Sequence, residues 1–484
     1  MIMKTSWTAV AFFIAFPSVA FGQDKVTLDE SVCTALRQNR QVRAASEKAA
    51  GQEYNVKGAF ADFLPKGKVQ GQYFRTGPIA TLEFDIASSF TPDPNKFPDR
   101  FKSDPNFAKW LDYFGGFASA LPPPTAMEVS EPDQVSLQFR VEQPLFSLYP
   151  IYQGYEMQKD GLEMARLAQK VTEQEVRAQV VTTYLGALKA KKMLSIAMEA
   201  VELIGAHLDQ AKKFVAAGVA HISDQLMAEV KLADAKNNVV RAENGIRLGT
   251  AGLAMMMGGR PSGDFDLVDI VAGESTAIPR VAMGLRELED AARTKRSELR
   301  IIDRQVDLAE RNVKLQWSNY IPQSALVGSY GYQHGNTFMP DWSWAVGGVA
   351  SLTFWDWLKT HDQIQAAKHS LSEAKENREY AREGIVFSVK QAFFDLRSTE
   401  QVITTGEAAI KEAKENHRVA RMKYDAQMAT SVDVLDAAMM LAKAKADYYA
   451  AVYDFWAALA RLARAVESDE ETFTGAKPLV GKCQ

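Results

Sequence analysis

The chain has 484 residues, of which 47% are hydrophobic and 24% charged, and its net charge is −4. This composition excludes an intrinsically disordered chain, and the slight excess of acid argues against a nucleic-acid-binding protein or a polybasic membrane-surface protein. Alanine is abundant and Glu, Lys, Arg and Gln fill much of the rest, a mixture that favours long helices.

The first 22 residues have the pattern of an export signal. Lys4 supplies the positive start, residues 7–16 form a short apolar run, and Ala20 and Gly22 provide small residues for cleavage. Ten apolar residues are too few to cross a membrane, so we expect cleavage after Gly22. No longer apolar run follows, and the exported chain is therefore either a soluble periplasmic protein or a membrane-inserted β-barrel.

The first half of the mature chain alternates between helical and strand-like patterns. Thr27 and Glu30 predict a capping box at the start of a helix over residues 27–62, and Leu64-Pro65 ends that helix because proline cannot continue it. Residues 69–73 and 135–141 then alternate apolar and polar side chains, which predicts two strands. The segment between them, residues 77–133, is rich in proline and aromatic residues. We predict a long loop there, with room for a short helix over residues 105–118.

A very long helix and its return helix follow. Residues 152–213 contain no proline, and roughly 60 residues at 1.5 Å each predict a rod of about 90 Å. A bend over residues 213–226 leads into a helix over residues 223–257, which Gly258-Gly259-Arg260-Pro261 ends.

This order of elements then repeats. Leu64-Pro65 recurs as Ile321-Pro322, a shift of 257 residues. Asp224 recurs as Asp433, a shift of 209 residues, within a second bend over residues 423–436. The smaller shift downstream means that the first copy has the longer loop between its strands. We therefore predict a signal peptide (1–22), a first repeat (23–258), a linker (259–280), a second repeat (281–467) and a polar tail (468–484).

The last helix carries a coiled-coil stripe with spacings of three and four. Its members are Val432, Leu435, Met439, Ala442, Ala446, Tyr449, Tyr453, Trp456, Ala460 and Ala463. The sequence thus predicts a mainly α protein with β: long coiled-coil hairpins, four strands per chain and an internal tandem repeat.

Four strands are too few for the smallest membrane barrel, which needs about eight. They either pack on helices as an open sheet or are pooled by several chains into one barrel. Aromatic residues near the strand ends suit a membrane-interface girdle, with core positions as the alternative. They are Tyr149, Tyr152, Trp342, Trp344, Trp355 and Trp357.

Together these features resemble the TolC-like outer-membrane efflux family over nearly the whole mature chain. The resemblance rests on the opening segment 27–45, on Leu64-Pro65 with Gln143-Pro144-Leu145-Phe146 around the first hairpin, and on residues 433–437 after the second bend. It implies a homotrimer in the outer membrane, with twelve pooled strands in a β-barrel and an α-helical barrel across the periplasm. The implied function is the exit duct of a tripartite efflux or type I secretion system, with a periplasmic adaptor and an inner-membrane pump of the RND, ABC or MFS type.

The resemblance also assigns roles at the two bends. Asp433 and Asp436 match aspartates that ring the periplasmic opening, and such rings favour cations. Asp224 and Tyr424 match positions that hold the tip shut, where a tyrosine hydroxyl donates to a carboxylate. Gln427 stands where a glycine is expected. Adaptor contacts are implied for the helix tips, at Phe214, Ala217, Gly218, Val219, Gln427 and Met428.

The sequence gives little support for an enzyme or a metal-binding protein. The phosphate-binding motifs GxxxxGK[ST] and GxGxxG are missing from the sequence, so we expect no enzyme and no cofactor. The six histidines lack paired ligand spacing, which favours solvated positions over a metal site. Cys33 and Cys483 could form a disulfide or remain thiols. The alternative function is a soluble periplasmic coiled-coil scaffold or adaptor, which leaves the alternating strands unexplained.

Overall fold

The computed structural model describes residues 25–79, 81–84, 86–121, 125–259, 265–270, 278–336, 339–469, 471–474 and 480–481. The predicted signal peptide, the stop residues Arg260 and Pro261, and Cys483 lie outside the described residues.

Helices make up most of the described chain. They are α1 (Leu28–Gln38), α2 (Arg40–Ala61), α3 (Ile86–Phe90), α4 (Asp99–Lys102), α5 (Phe107–Ala120), α6 (Leu148–Ala216), α7 (Ile222–Met256), α8 (Leu285–Lys295), α9 (Ser297–Trp317), α10 (Lys359–Asp425), α11 (Ser431–Val466) and α12 (Glu471–Thr474). The strands are β1 (Lys25–Val26), β2 (Lys66–Arg75), β3 (Thr81–Phe84), β4 (Thr125–Glu128), β5 (Ser130–Pro144), β6 (Asp266–Leu267), β7 (Gln323–Asn336) and β8 (Trp342–Ser351).

The start of the chain contains two helices where the sequence predicts one. The Thr27 hydroxyl oxygen accepts from the Glu30 N–H and caps α1, which is one half of the predicted capping box. Asn39 then leaves the helical conformation, and its side chain donates to the Met256 carbonyl at the end of α7. The predicted unbroken helix is therefore wrong at Asn39, where a tertiary hydrogen bond replaces helix continuation.

The segment between β2 and β5 is more ordered than the predicted loop. It folds as a hairpin of β3 and β4 that encloses α3, α4 and α5. The predicted short helix is confirmed as α5, whose Trp110 packs against Phe107 and Phe114. Of the described prolines in this segment, Pro78, Pro92, Pro98 and Pro105 lie outside the helices and strands, where a missing N–H costs little.

Four long strands form one antiparallel sheet in the order β2-β5-β7-β8. Directly opposed residues lie on the same face. One cross-strand row joins Val69, Phe139, Tyr330 and Trp344, and the next joins Lys68, Arg140 and Ser329. The predicted alternation is confirmed for β2 and β5: one face of the sheet is mainly aromatic and aliphatic, and the other is mainly polar, with a few aliphatic residues such as Val327 and Val349.

The internal repeat is confirmed by the order of the elements. The segment from α1 to α7 and the segment from α8 to α11 each run helix, helix, strand, strand, long helix, bend, helix. Leu64-Pro65 precedes β2 and Ile321-Pro322 precedes β7, as predicted. The boundaries of the predicted domains stay predictions.

Two very short strands were not predicted. β1 and β6 pair in parallel, with Val26 opposite Leu267, and β6 lies in the segment that the sequence predicts as a linker. The buried Tyr184 on α6 places its hydroxyl 2.9 Å from the Val26 carbonyl oxygen and 2.8 Å from that of Val268. Two residues are too few for a periodic pattern, which is why the sequence gives no signal for this pair.

The described residues fall into two compact units. One has the bounds Met1–Glu53, Asp160–Asp307 and Ser372–Gln484, and the other Tyr54–Lys159 and Leu308–Leu371. Both units contain parts of both repeats. The first holds the main hydrophobic core, in which Tyr184, Leu288, Tyr453 and Phe455 are fully buried, and the second holds the four-stranded sheet.

The coiled-coil stripe of α11 has the predicted period but only part of the predicted register. Leu435, Tyr453 and Ala460 are its only buried members. The neighbouring stripe is more deeply buried and consists of Val434, Ala438, Leu441, Tyr448, Val452, Phe455, Leu459, Leu462 and Val466. The helix therefore buries two adjacent stripes, because it packs against more than one neighbour.

Cys33 on α1 is disulfide-bonded, and the chain's other cysteine is Cys483. The Gly481 N–H donates to Asp29 over 2.6 Å, so the end of the described chain lies on α1. No described helix is apolar enough over a sufficient length to cross a membrane.

Candidate functional site

Two bends, α6 to α7 and α10 to α11, share one backbone design. In the first, Gly218 has φ +73°, its N–H donates to Val215 O, and the Val219 N–H donates to Phe214 O. This is a Schellman motif, which ends a helix with a left-handed residue. In the second, Gln427 has φ +60° and donates to Tyr424 O, while Met428 donates to Lys423 O.

The hydrogen bonds of the two bends therefore match at the predicted shift of 209 residues. Gln427 has the left-handed conformation that Gly218 has in the first bend. This is the position at which the family resemblance leads us to expect a glycine. The aromatic residues of the two bends are not equivalent, however, since Phe214 corresponds to Lys423 and Tyr424 to Val215. Phe214 and Tyr424 instead stack on each other, with ring centroids 5.5 Å apart.

The return helices start from different caps. His221 caps α7, its Nδ1 accepting from the Ser223 N–H. Thr430 caps α11 with a full capping box, in which Asp433 Oδ2 accepts from both the N–H and the hydroxyl of Thr430 at 2.8 Å. These hydrogen bonds hold the pKa of Asp433 below its ordinary value.

The two predicted ring aspartates are both exposed. Asp433 belongs to the capping box, and Asp436 lies three residues further on, within the same turn of α11. Both are thus able to present negative charge to solvent at the bend. Their role in an aperture stays a prediction.

Tyr424 is buried beneath the second bend, whereas Asp224 is half-buried at the start of α7. The Tyr424 hydroxyl has no hydrogen-bond partner within the described part of the chain. Burial and the nearby carboxylates of Asp224 and Asp425 raise its pKa. The single chain thus brings Tyr424 and Asp224 close enough to interact electrostatically without the hydrogen bond that the family resemblance implies.

A buried histidine, His207, contacts residues at both ends of the second bend. It was not predicted from the sequence. His207 on α6 is 6% exposed. Its Nε2 lies 2.8 Å from the hydroxyl oxygen of Ser431, which is fully buried at the start of α11. The expectation of solvated histidines is therefore wrong for His207. Its position between the core residues Ile204 and Ala211 at helical spacing is the signal that could have revealed it.

Apolar side chains of α6, α7 and α11 pack together next to the bends. Ile204 and Leu208 on α6, Ala228 and Ala235 on α7, and Leu435 and Ala438 on α11 form one buried cluster. The small side chains allow close approach of the helices. In addition, Gln210 on α6 donates to Asp425 at the end of α10.

The helix tips present the residues for which the resemblance implies adaptor contacts. Ala217, Gly218, Val219, Gln427 and Met428 are exposed, and Phe214 is partly covered by Tyr424. Their role in binding an adaptor stays a prediction.

The predicted aromatic girdle is exposed in the chain, which excludes the core alternative. The exposed fractions run from 41% for Tyr149 to 83% for Trp357. Trp355 and Trp357 pack edge to face, 5.7 Å apart, just before α10. In the described ranges, no group of three or more His, Cys, Asp or Glu is arranged to hold a metal ion.

The family model described as "Outer membrane efflux protein" matches residues 117–259 and 288–467. The matched segments include most of both repeats and both bends. No curated protein matches the chain in sequence.

Several solved structures share the fold. The outer membrane protein VceC from Vibrio cholerae is 14% identical with a TM-score of 0.69, over 91% of this chain and 96% of that chain. The Campylobacter jejuni CmeC outer membrane channel is 13% identical with a TM-score of 0.72, over 93% and 87%. The Neisseria gonorrhoeae MtrE outer membrane channel in its open state is 15% identical with a TM-score of 0.68, over 91% and 89%. The predicted fold class is thereby confirmed.

Proposed function

Because the chain belongs to the outer membrane efflux protein family, we propose that it forms the outer-membrane exit duct of a tripartite efflux or type I secretion system. Three copies assemble in the outer membrane, after export by a signal peptide, with a large periplasmic portion. A periplasmic adaptor and an inner-membrane pump of the RND, ABC or MFS type deliver small molecules, metal ions or polypeptides to it. The family and the structural relatives are channels and not enzymes.

The observation that carries this proposal is the open four-stranded sheet. Its edge strands β2 and β8 are each ten residues long, exposed throughout, and have no further strand partner among the described residues. Long bare edges are an aggregation hazard unless they are paired. Pairing β8 of one copy with β2 of the next in a ring of three gives twelve strands, an even number within the range of outer-membrane barrels.

The faces of the sheet agree with such a barrel. Val69, Tyr330, Trp344 and Val346 on the apolar face are each more than half exposed in the single chain. In the barrel this face meets lipid, and the polar face with Lys68 and Arg140 lines the water-filled interior. A soluble scaffold would leave the apolar face in water, which is costly.

The proposal is tested with the purified full chain in planar lipid bilayers and by electrophoresis with and without heating. We expect ion-conducting channels and trimers that dissociate only on heating. Recovery of a monomer that does not conduct would overturn the proposal.

The same bilayers test the aperture. We expect Asp433→Ala with Asp436→Ala to raise conductance and to weaken block by multivalent cations, since rings of carboxylates bind such ions. The matched control is Asp447→Ala, an exposed acid further along α11, which should leave the block unchanged. Equal block in both variants would remove the aperture role.

A further inference from the structure

His207 forms a buried polar link between the two repeats at their bends, in addition to the exposed hydrogen bond from Gln210 to Asp425. Its imidazole reaches from α6, in the first repeat, to the hydroxyl of Ser431, in the second. Ser431 is the first residue of α11, so this hydrogen bond holds the point at which the second bend ends.

The same imidazole also supports the point at which the second bend begins. Tyr424, in the last turn of α10, packs on His207 with ring centroids 4.8 Å apart. Because the Tyr424 hydroxyl has no hydrogen-bond partner in the described part of the chain, Tyr424 contributes packing to this contact. The imidazole of His207, which can be protonated, therefore contacts both ends of the second bend.

The surroundings of His207 favour the neutral form. Burial is the largest cause that lowers the pKa of His207, and His417 and Arg421 on α10 lower it further. Asp224 on α7 and Asp425 on α10 act in the opposite direction and do not overcome burial. From α11 the ring meets the Ser431 hydroxyl, and the acid in the first turn of that helix, Asp433, is engaged by Thr430.

We propose that His207 is a proton-operated latch: the neutral ring holds the α10–α11 bend against α6, and a protonated ring releases it and widens the periplasmic opening. The physical cause is the cost of placing a cation in a largely buried site. This latch rests on the proposed channel function and adds a signal that opens the channel.

The direction of the pH effect follows from proton linkage. Once released, His207 meets water and has an ordinary pKa of about 6.5. Above that pH both states are neutral, and the latch has its full strength. Below it the released state binds the proton more readily, so the ratio of released to held bends rises by up to about tenfold per pH unit in each copy, until the lowered pKa is reached.

The test is the conductance of the full-length channel in bilayers between pH 8 and pH 5. Wild type is expected to open below about pH 6.5. His207→Gln, which can still hydrogen-bond to Ser431 but cannot be protonated, is expected to stay at its pH 8 conductance throughout. Ser431→Ala, which keeps the ring but removes its partner, is expected to conduct more than wild type at pH 8.

The matched control is His417→Gln, on α10. It removes a second imidazole, whose protonated form opposes protonation of His207 and whose own pKa is lowered by burial. Acid opening should therefore persist, at the same or a slightly higher pH. The latch is overturned if His207→Gln opens with acid as wild type does, if wild type shows no opening, or if Ser431→Ala is unchanged at pH 8. Channels that conduct without any pH response leave the proposed function standing, whereas a lack of channels at every pH overturns both.

Discussion

At the scale of single residues, the two bends show that different side chains can occupy the same backbone conformation. Gly218 and Gln427 hold the same left-handed conformation and the same pair of hydrogen bonds. Glycine takes this conformation without steric cost, whereas a residue with a Cβ pays roughly 1–2 kcal/mol. The second bend is therefore the more strained of the two.

We expect Gln427→Gly to raise the free energy of unfolding by about 1 kcal/mol, because it relieves the left-handed strain. Gly218→Ala should lower it by about 1–2 kcal/mol for the same reason, since open space around Gly218 excludes a clash. Thermal unfolding in detergent measures both changes. Met428→Ala, at the exposed neighbour of Gln427, is the control and should change little. A fall in stability for Gln427→Gly would mean that the Gln427 side chain has contacts that outweigh its strain.

At the scale of elements, Glu467 joins three helices at one carboxylate. It follows α11, and it accepts from the N–H and the hydroxyl of Ser297 at the start of α9, at 2.5 and 2.6 Å. The ammonium of Lys170 on α6 lies 2.7 Å away. Although burial alone would raise it, these bonds from Lys170 and Ser297 hold the pKa of Glu467 below its ordinary value.

Glu467→Gln is expected to lower the free energy of unfolding at pH 7 by about 2–3 kcal/mol, because hydrogen bonds to a charged group are lost. The contribution of this carboxylate is present above its unfolded pKa of about 4.3 and is lost as pH falls through the lower folded value. The variant should therefore lose less stability than wild type below about pH 4.3 in denaturant titrations. The exposed Glu471→Gln serves as the control, and equal pH profiles for Glu467→Gln and wild type would contradict this role.

The sheet offers a second test at this scale. Val346 lies on its apolar face and Ser343 on its polar face, both within β8. Arginine at Val346 should cost about 2–4 kcal/mol if this face meets lipid near the middle of the membrane, whereas arginine at Ser343 faces water and should cost little. The temperature at which trimers dissociate measures the difference. A larger loss for Ser343→Arg would reverse the assignment of the two faces.

At the scale of the whole molecule, local signals in the sequence predict the elements and their repetition. Prolines at 65 and 322 and glycine at 218 fix where elements end, and alternation in residues 135–141 fixes which face of β5 is apolar. Such signals depend on neighbours in the chain, so they are visible without a structure.

What the sequence does not predict depends on contacts between distant residues. Asn39 breaks a helix because Met256 offers a carbonyl, and His207 becomes a link because Ser431 is brought to it. In both cases the partner lies more than 200 residues away along the chain. The stripe of α11 was partly misplaced for the same reason, since its register is set by helices that the local pattern does not contain.

The matching bends have a consequence for symmetry. In the trimer that we propose, six Schellman bends stand around one axis, alike in backbone geometry and alternating in chemistry. One kind carries Gly218 and the His221 cap, the other Gln427 and the Thr430–Asp433 capping box. A ring of six identical partner subunits, one on each bend, would thus meet pseudo-sixfold geometry but only threefold chemistry, and its members would occupy two non-equivalent binding sites.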